Sequence, residues 1–197
     1  MSQNKTTLLS NTGLSLTDFS ELTKFRLSIT VVISSIAGYF LAVDTVHYPT
    51  LLLLVVGGYA MVGASNVFNQ VFEKDLDGLM ERTMNRPLPR ERIQPNTALF
   101  IGVVLTLIGI AALYIINIKT AFFASISIFL YACLYTPLKQ RTSLSVFVGA
   151  FPGAIPFMLG WVAATNEFGM EPGVLFMVQF FWQFPHFWAI GWVMHDQ

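Results

Sequence analysis

The sequence predicts an all-α fold, a polytopic membrane helical bundle with six transmembrane helices in 197 residues. Hydrophobic residues make up 54% of the chain and charged residues only 11%, whereas soluble domains carry about 25% charged residues. Six apolar runs have about the 17 to 25 residues that a helix needs to cross a bilayer. The formal net charge is zero, which argues against a nucleic-acid-binding surface. A single cysteine, Cys133, excludes an intramolecular disulfide.

The amino-terminal segment, residues 1–26, is mostly polar and shows neither a secretory signal peptide nor an Arg-rich transit peptide. Residues 14–25 have an amphipathic pattern that predicts a helix lying at the membrane interface. The membrane domain is predicted to occupy residues 27–197. Its expected spans are 27–43, 50–71, 97–116, 120–136, 144–163 and 173–194.

The orientation follows from the distribution of the Lys and Arg residues. Ten of the eleven precede span one, or lie between spans two and three or between spans four and five, and only Lys119 lies in an alternate loop. Loops rich in Lys and Arg stay on the cytoplasmic side. The amino terminus and the loop around Glu73 are therefore predicted to be cytoplasmic.

The loop between spans two and three carries a row of acidic and amide side chains. If the preceding helix continues, Asn69, Glu73, Asp77 and Glu81 fall on one helical face at intervals of four residues. Carboxylates that neighbour one another on a helix repel, and a cation bound between them would compensate this repulsion. Oxygen ligands of this kind suit Mg²⁺, which keeps positions free for water or phosphate.

Lys74, Arg82 and Arg86 fall on the adjacent row of the same predicted helix. A phosphate bound to the cation would therefore also meet positive side chains, and an Arg can hold two of its oxygens. The pattern predicts a magnesium and diphosphate site. A solvated polar loop whose charges neutralise one another is the alternative.

A second polar stretch follows span four, with Tyr135, Lys139 and Arg141 on the same membrane side. The two cations could bind phosphate, and Tyr135 could offer a hydroxyl or a π face to a developing cation. Topology alone also places Lys and Arg in such loops. Residues 149–156 contain two Gly and two Pro residues, which predicts a twice-broken helix lining a cavity. A simple kink is the alternative.

The third stretch lies within span six, where Trp182, Gln183 and His186 occur together. Polar side chains at membrane depth are costly, and are often functional. Surrounded by aromatic rings, His186 could contact or ligate a flat aromatic substrate, including haem iron. The alternative is that Gln183 and His186 bond each other, or carbonyls freed by Pro185.

These motifs together resemble the haem O synthase (protohaem IX farnesyltransferase) family of UbiA-type intramembrane prenyltransferases, over roughly residues 20–197. The segments that carry the resemblance are Asn69-x3-Glu73-x3-Asp77-x2-Met80-Glu81-Arg82-Thr83-x2-Arg86-Pro87, Tyr135-x3-Lys139-x-Arg141, Gly153-Ala-x-Pro156 and Trp182-Gln183-x-Pro185-His186-Phe187. The resemblance implies an all-helical membrane fold and a Mg²⁺-dependent site for farnesyl diphosphate. It also implies transfer of the farnesyl group to a vinyl group of haem B.

The resemblance and the chemistry assign roles to the matching residues. The metal ligands are Asn69, Glu73 and Asp77, with Asp196 opening a second acidic loop. The catalytic set is Asn69, Glu73, Asp77, Arg82 and Lys139. The diphosphate-binding set is Lys74, Arg82, Arg86, Tyr135, Lys139 and Arg141. Haem would contact Trp182, Gln183 and His186.

Three departures from the family pattern stand out. Glu73 stands where Asp is common, and Phe25 departs from the Lys-Pro-Arg that the family usually shows before span one. Family members have about nine helices, so we expect this chain to be a truncated nine-helix fold, incomplete at its carboxyl end. The expected location is a bacterial inner membrane. The expected partners are farnesyl diphosphate, haem B and the lipid bilayer, with a downstream haem A synthase or terminal oxidase as a candidate.

Two other functions remain open at this point. A quinone-pathway prenyltransferase would use the same diphosphate machinery on a small aromatic acceptor. A cation transporter or pore would use the acidic row to coordinate its ion. The acids cluster at one membrane face, however, whereas transporter sites lie near the midplane.

Overall fold

The computed structural model describes residues 15–193, and every regular element among them is helical. The helices are α1 (Leu16–Leu22), α2 (Phe25–Leu41), α3 (Tyr48–Phe72), α4 (Lys74–Asp77), α5 (Pro95–Ile116), α6 (Ile118–Leu138), α7 (Leu144–Thr165) and α8 (Met170–Val193). The predicted all-α class is confirmed. Each of the six predicted spans coincides with one long helix, namely α2, α3, α5, α6, α7 and α8.

Four of these helices, α3, α5, α6 and α7, are long and apolar enough to cross a membrane. Helices α1 and α2 together also pass this test, although a 57° bend separates them. Helix α8 has 24 residues but is not among the helices that are apolar enough, because Gln, His and Pro lower its hydropathy. The predicted count of six spans is therefore approximate. The predicted interfacial helix corresponds to α1, and residues 1–14 lie outside the described part of the chain.

Helix α7 packs against α2, α6 and α8, and glycines allow its closest approach. Gly38 of α2 lies against the carbonyl of Phe157, and Gly160 of α7 lies against the carbonyl of Ser35. A β-carbon at either glycine would overlap the facing backbone. The same principle applies between α3 and α5, where Gly57 lies against Leu113. Small residues permit such close contacts between membrane helices.

The prediction that prolines break span five twice is wrong. Helix α7 is continuous through Pro152 and Pro156. Each proline removes one backbone hydrogen bond, but neighbouring helices can compensate for such losses in a membrane bundle. The irregular backbone instead occurs in α6, where Leu130–Tyr135 forms a π-helical turn.

The acidic stretch does not continue α3 as one helix. Helix α3 ends at Phe72, Glu73 has non-helical dihedrals (φ −106°, ψ 9°), and α4 ends at Asp77 after a single turn. The Thr83 hydroxyl donates a 2.8 Å hydrogen bond to the Asp77 carbonyl and so stabilises the turn that follows. Residues 78–94 are non-helical. The predicted row is correct for Asn69, Glu73 and Asp77, which are buried, but wrong for Glu81, which is exposed.

The loop after α4 is anchored by apolar side chains. Leu88 and Ile93 are buried against Leu22 of α1, Val67 of α3 and Ala98 of α5. Arg92 adds ion pairs to Asp18 and Glu21 of α1. These contacts hold the loop against the bundle, and they position the residues that follow Asp77.

Candidate active site

The end of α3 meets the end of α6 through a buried polar contact. Asn69 Nδ2 donates to Glu73 Oε2 at 2.9 Å. Lys139 Nζ donates to the same oxygen at 2.7 Å and lies 2.6 Å from Glu73 Oε1. Asn69 Nδ2 also lies 3.5 Å from Thr136 Oγ1. The predicted first and second polar stretches therefore form one cluster.

Asp77 is paired with Arg86, which follows it in the loop. Arg86 Nη1 donates to Asp77 Oδ2 at 2.7 Å, and the Asp77 side chain is almost completely buried. A buried carboxylate is stable only when it is paired or hydrogen-bonded, and Arg86 supplies that partner. The sequence placed Arg86 near the acids through a continued helix, whereas the structure brings it there through a folded loop.

Lys24 also belongs to the cluster. From the sequence it served only to predict the orientation of the chain in the membrane. It lies at the break between α1 and α2, and its Nζ donates to Asn69 Oδ1 at 3.1 Å. Burial, followed by the neighbouring charges of Arg86 and Lys139, lowers the pKa of Lys24 to about 8. A lysine pKa falls in this way because desolvation and like charges disfavour the ammonium form.

The remaining predicted cations lie away from the cluster. Lys74 Nζ is 3.9 Å from Glu91 Oε1, while Arg82 and Arg141 are exposed. The predicted row of Lys74, Arg82 and Arg86 is wrong because the helix that would align them ends before Arg82. The structure brings together Arg86, Lys139 and Lys24, and does not bring Arg82 and Arg141 into contact with the acids.

The donor set is compatible with a hard divalent cation. Glu73 Oε1 is buried and accepts no hydrogen bond from the residues that the structure describes, although it lies within ion-pair distance of Lys139, so it has a lone pair for a further ligand. Within residues 15–193, no three His, Cys, Asp or Glu side chains converge. Two carboxylates and the Asn69 amide could hold Mg²⁺, which commonly completes its coordination with water or substrate phosphate.

A cavity of about 240 Å³ lies within the bundle. Helices α2, α3, α6, α7 and α8 all contribute to its walls. Its lining residues are Leu27, Val31, Val62, Ser65, Asn66, Ser127, Tyr131, Tyr135, Gly149, Pro152, Gly153, Pro156, Gln183 and Phe187. A second cavity of about 40 Å³ shares Val31, Val62, Ser65, Ser127 and Pro156 with it. The prediction that residues 149–156 line a cavity is confirmed.

Tyr135 connects the cavity to the polar cluster. Its ring lines the cavity and lies with its centroid 5.7 Å from Lys139 Nζ. The π-helical turn places both Tyr131 and Tyr135 in the cavity wall, and such turns occur frequently at functional sites. Gly149 provides the space for the Tyr135 ring, because a β-carbon there would lie 2.7 Å from it.

The third predicted stretch divides between the cavity and the outside of the bundle. Gln183 is buried, lines the cavity and fits against Gly153, where a β-carbon would lie 2.7 Å from its amide carbon. Trp182 and His186 are exposed and are not among the lining residues. A haem contact through His186 stays a prediction. Asp196, predicted to open a second acidic loop, lies outside the described residues.

Sequence reasoning missed several polar residues of the site. These are Lys24 and Thr136 in the cluster, and Asn66 and Tyr131 in the cavity wall. Asn66 precedes Asn69 by three residues on the same predicted span, so its helical spacing was an available signal. Tyr131 was not predictable, because a π-helical turn shifts the face on which it lies.

Comparison with known proteins places the chain among prenyltransferases. The UbiA prenyltransferase family profile matches residues 31–197. The protoheme IX farnesyltransferase of Christiangramia forsetii is 63% identical over 181 residues, which are 92% of this chain and 60% of that protein. The protein of the same name from Myxococcus xanthus is 39% identical over 175 residues, 88% of this chain and 60% of that protein. The chain thus spans about 60% of the length of these curated relatives.

Solved structures share the fold. A digeranylgeranylglyceryl phosphate synthase structure superposes with a TM-score of 0.76 at 23% identity, over 84% of this chain and 58% of that one. A UbiA homologue from Archaeoglobus fulgidus, bound to GPP and Mg²⁺, gives 0.71 at 14% identity, over 83% and 60% of the two chains. With the profile match over most of the chain, these findings show that the protein is a member of the UbiA prenyltransferase family.

Proposed function

We propose that the protein transfers a farnesyl group from farnesyl diphosphate to a vinyl group of haem B in a Mg²⁺-dependent reaction. The observation that carries the proposal is the convergence of acids and cations beside an aromatic cavity: Asn69, Glu73 and Asp77 with Lys24, Arg86 and Lys139. The names of the curated relatives, protoheme IX farnesyltransferase, support this choice of substrates.

Each group of residues has a role in this reaction. Asn69, Glu73 and Asp77 would hold Mg²⁺, which when bound neutralises charge on a diphosphate and assists its departure. Arg86 and Lys139 bind the diphosphate oxygens and stabilise the negative charge that develops as the allylic carbon–oxygen bond breaks. Lys74, Arg82 and Arg141, which belong to the two loops, remain candidates for stabilising the same negative charge.

The cavity suits an apolar chain whose reactive end becomes a cation. Tyr131, Tyr135 and Phe187 line it with aromatic rings, whose faces stabilise positive charge. Apolar walls also keep water away from the carbocation until the π electrons of the vinyl group form the new carbon–carbon bond. The cation that this leaves on the haem side chain is then neutralised by addition of water. Trp182, Gln183 and His186 are the proposed haem contacts, and Gln183 is the one that reaches the cavity wall.

We also propose the cellular setting of the reaction. Ten of the eleven Lys and Arg residues precede span one or lie between spans two and three or between spans four and five, which supports a cytoplasmic site in a bacterial inner membrane. A downstream haem A synthase or terminal oxidase would receive the product.

Haem titration separates this function from a quinone-pathway prenyltransferase. The purified protein should bind added haem B and shift its Soret band, and His186→Ala should weaken this binding. Unperturbed haem spectra together with prenylation of a small aromatic acid would support the quinone enzyme. Unchanged haem affinity and turnover in His186→Ala would remove His186 from the site. Ion flux in liposomes would instead indicate the transporter.

A further inference from the structure

Lys24 has an unusual backbone conformation for a non-glycine residue. Its φ of 49° and ψ of 57° lie in the left-handed region. The β-carbon of an L-residue is crowded there, so this conformation costs free energy. Such conformations persist only where the surroundings enforce them, and they are common at functional sites.

Two amide side chains of α3 enforce this conformation. Gln70 Nε2 donates to the carbonyls of Glu21, at 3.1 Å, and Leu22, at 2.8 Å. Asn66 Nδ2 donates to the carbonyl of Thr23 at 3.2 Å. Both amides are almost completely buried. They therefore hold the three consecutive carbonyls that precede Lys24.

The enforced break directs the Lys24 ammonium into the polar cluster, where Nζ contacts Asn69 Oδ1 at 3.1 Å. Glu73 is paired with Lys139 and Asp77 with Arg86, whereas Lys24 forms no ion pair within the described residues. The cluster therefore holds three cations against two carboxylates. An uncompensated cation that is partly buried is costly, and an added anion would remove that cost.

We propose that Lys24 binds the diphosphate group of the substrate, and that Asn66 and Gln70 are positioning residues that hold Lys24 in place. This inference rests on the proposed function, because it concerns the anion of the same site. It gives a reason for a lysine at a position whose backbone conformation a glycine would adopt freely.

The first test uses the Lys24→Gly variant, purified in detergent. Isothermal titration calorimetry with inorganic pyrophosphate and Mg²⁺ should show at least about tenfold weaker binding, the loss expected for a hydrogen bond to a charged group. The melting temperature should not fall, since glycine accepts a positive φ. Lys119→Met is the matched control, because Lys119 contacts the Asn166 carbonyl away from the cluster, and it should bind pyrophosphate as the wild type does.

The second test separates positioning from general stability. Gln70→Leu should weaken pyrophosphate binding, and the Lys24→Gly/Gln70→Leu double variant should bind no more weakly than Lys24→Gly alone. Additive losses would show that Gln70 does not act through Lys24. Unchanged affinity in Lys24→Gly would overturn the role of Lys24 while leaving the proposed function intact. A wild-type protein that binds no pyrophosphate with Mg²⁺ would overturn both.

Discussion

Lys139 Nζ lies 2.6 Å and 2.7 Å from the two carboxylate oxygens of Glu73, a residue 66 positions earlier in the chain. This ion pair joins the end of α6 to the end of α3. Arg86 and Asp77 form a similar pair at 2.7 Å. The cations that we propose for diphosphate binding thus neutralise the proposed metal ligands. Under the proposed function, both sets of residues would exchange partners when substrate and metal bind.

Replacing Lys139 tests the importance of the pair with Glu73. Lys139→Met leaves a buried carboxylate without its cation, and we expect a loss of roughly 1 to 3 kcal/mol in the free energy of unfolding. Thermal unfolding in detergent measures this loss. Arg141→Met is the control, because Arg141 is exposed, and it should unfold as the wild type does. Equal stability of both variants would contradict the structural role of the pair.

Asp77→Asn tests the metal assignment. The change removes a charged oxygen ligand and the partner of Arg86, so we expect at least about a hundredfold loss of turnover with normal membrane insertion. Turnover against Mg²⁺ concentration is the measurement. Asp75→Asn, at an exposed position two residues earlier, should retain activity. An active, Mg²⁺-dependent Asp77→Asn enzyme would disprove the assignment.

The cavity can be tested by filling it at Ser127, which lines both the larger and the smaller cavity. In Ser127→Phe the added ring occupies the region that the two cavities share. Turnover with farnesyl diphosphate should therefore fall by about tenfold or more, because a substrate held out of position reacts more slowly. Turnover with the shorter dimethylallyl diphosphate should fall less. Ala37→Phe, on an exposed part of α2, is the control. Equal losses for both chain lengths would mean that the chain does not lie there.

Gly160→Ala tests the close contact between α2 and α7. The new β-carbon would lie 2.6 Å from the Tyr39 nitrogen and 2.8 Å from the Ser35 carbonyl carbon. Backbone atoms cannot move aside as side chains do, so we expect destabilisation of about 1 to 3 kcal/mol, measured by thermal unfolding. Gly191→Ala is the matched control, since no atom of residues 15–193 lies within 4 Å of a β-carbon at that position. It should leave stability equal or slightly higher.

The positions of the long helices could be predicted from the sequence because apolar runs of bilayer length have few alternatives to helix. Asn69, Glu73 and Asp77 could be predicted as a set, since their spacing places them on one face. The contacts of Lys74, Arg82 and Arg86 could not be predicted from the sequence. Their positions depend on how the loop over residues 78–94 folds, and that depends on the burial of apolar side chains such as Leu88.

The contact of Lys24 with the polar cluster also could not be predicted from the sequence. Its position results from a bend between two helices, stabilised by amides on a third helix that is more than 40 residues away in the chain. No local pattern encodes such a contact. The π-helical turn that places Tyr131 in the cavity wall is likewise decided by tertiary packing.

The most direct test of the proposed function is a turnover assay on the purified protein with haem B, farnesyl diphosphate and Mg²⁺, followed by mass spectrometry of the haem. The proposal predicts a farnesylated haem that forms with Mg²⁺ and disappears when the metal is chelated. Unmodified haem, together with prenylation of a small aromatic acid under the same conditions, would contradict it.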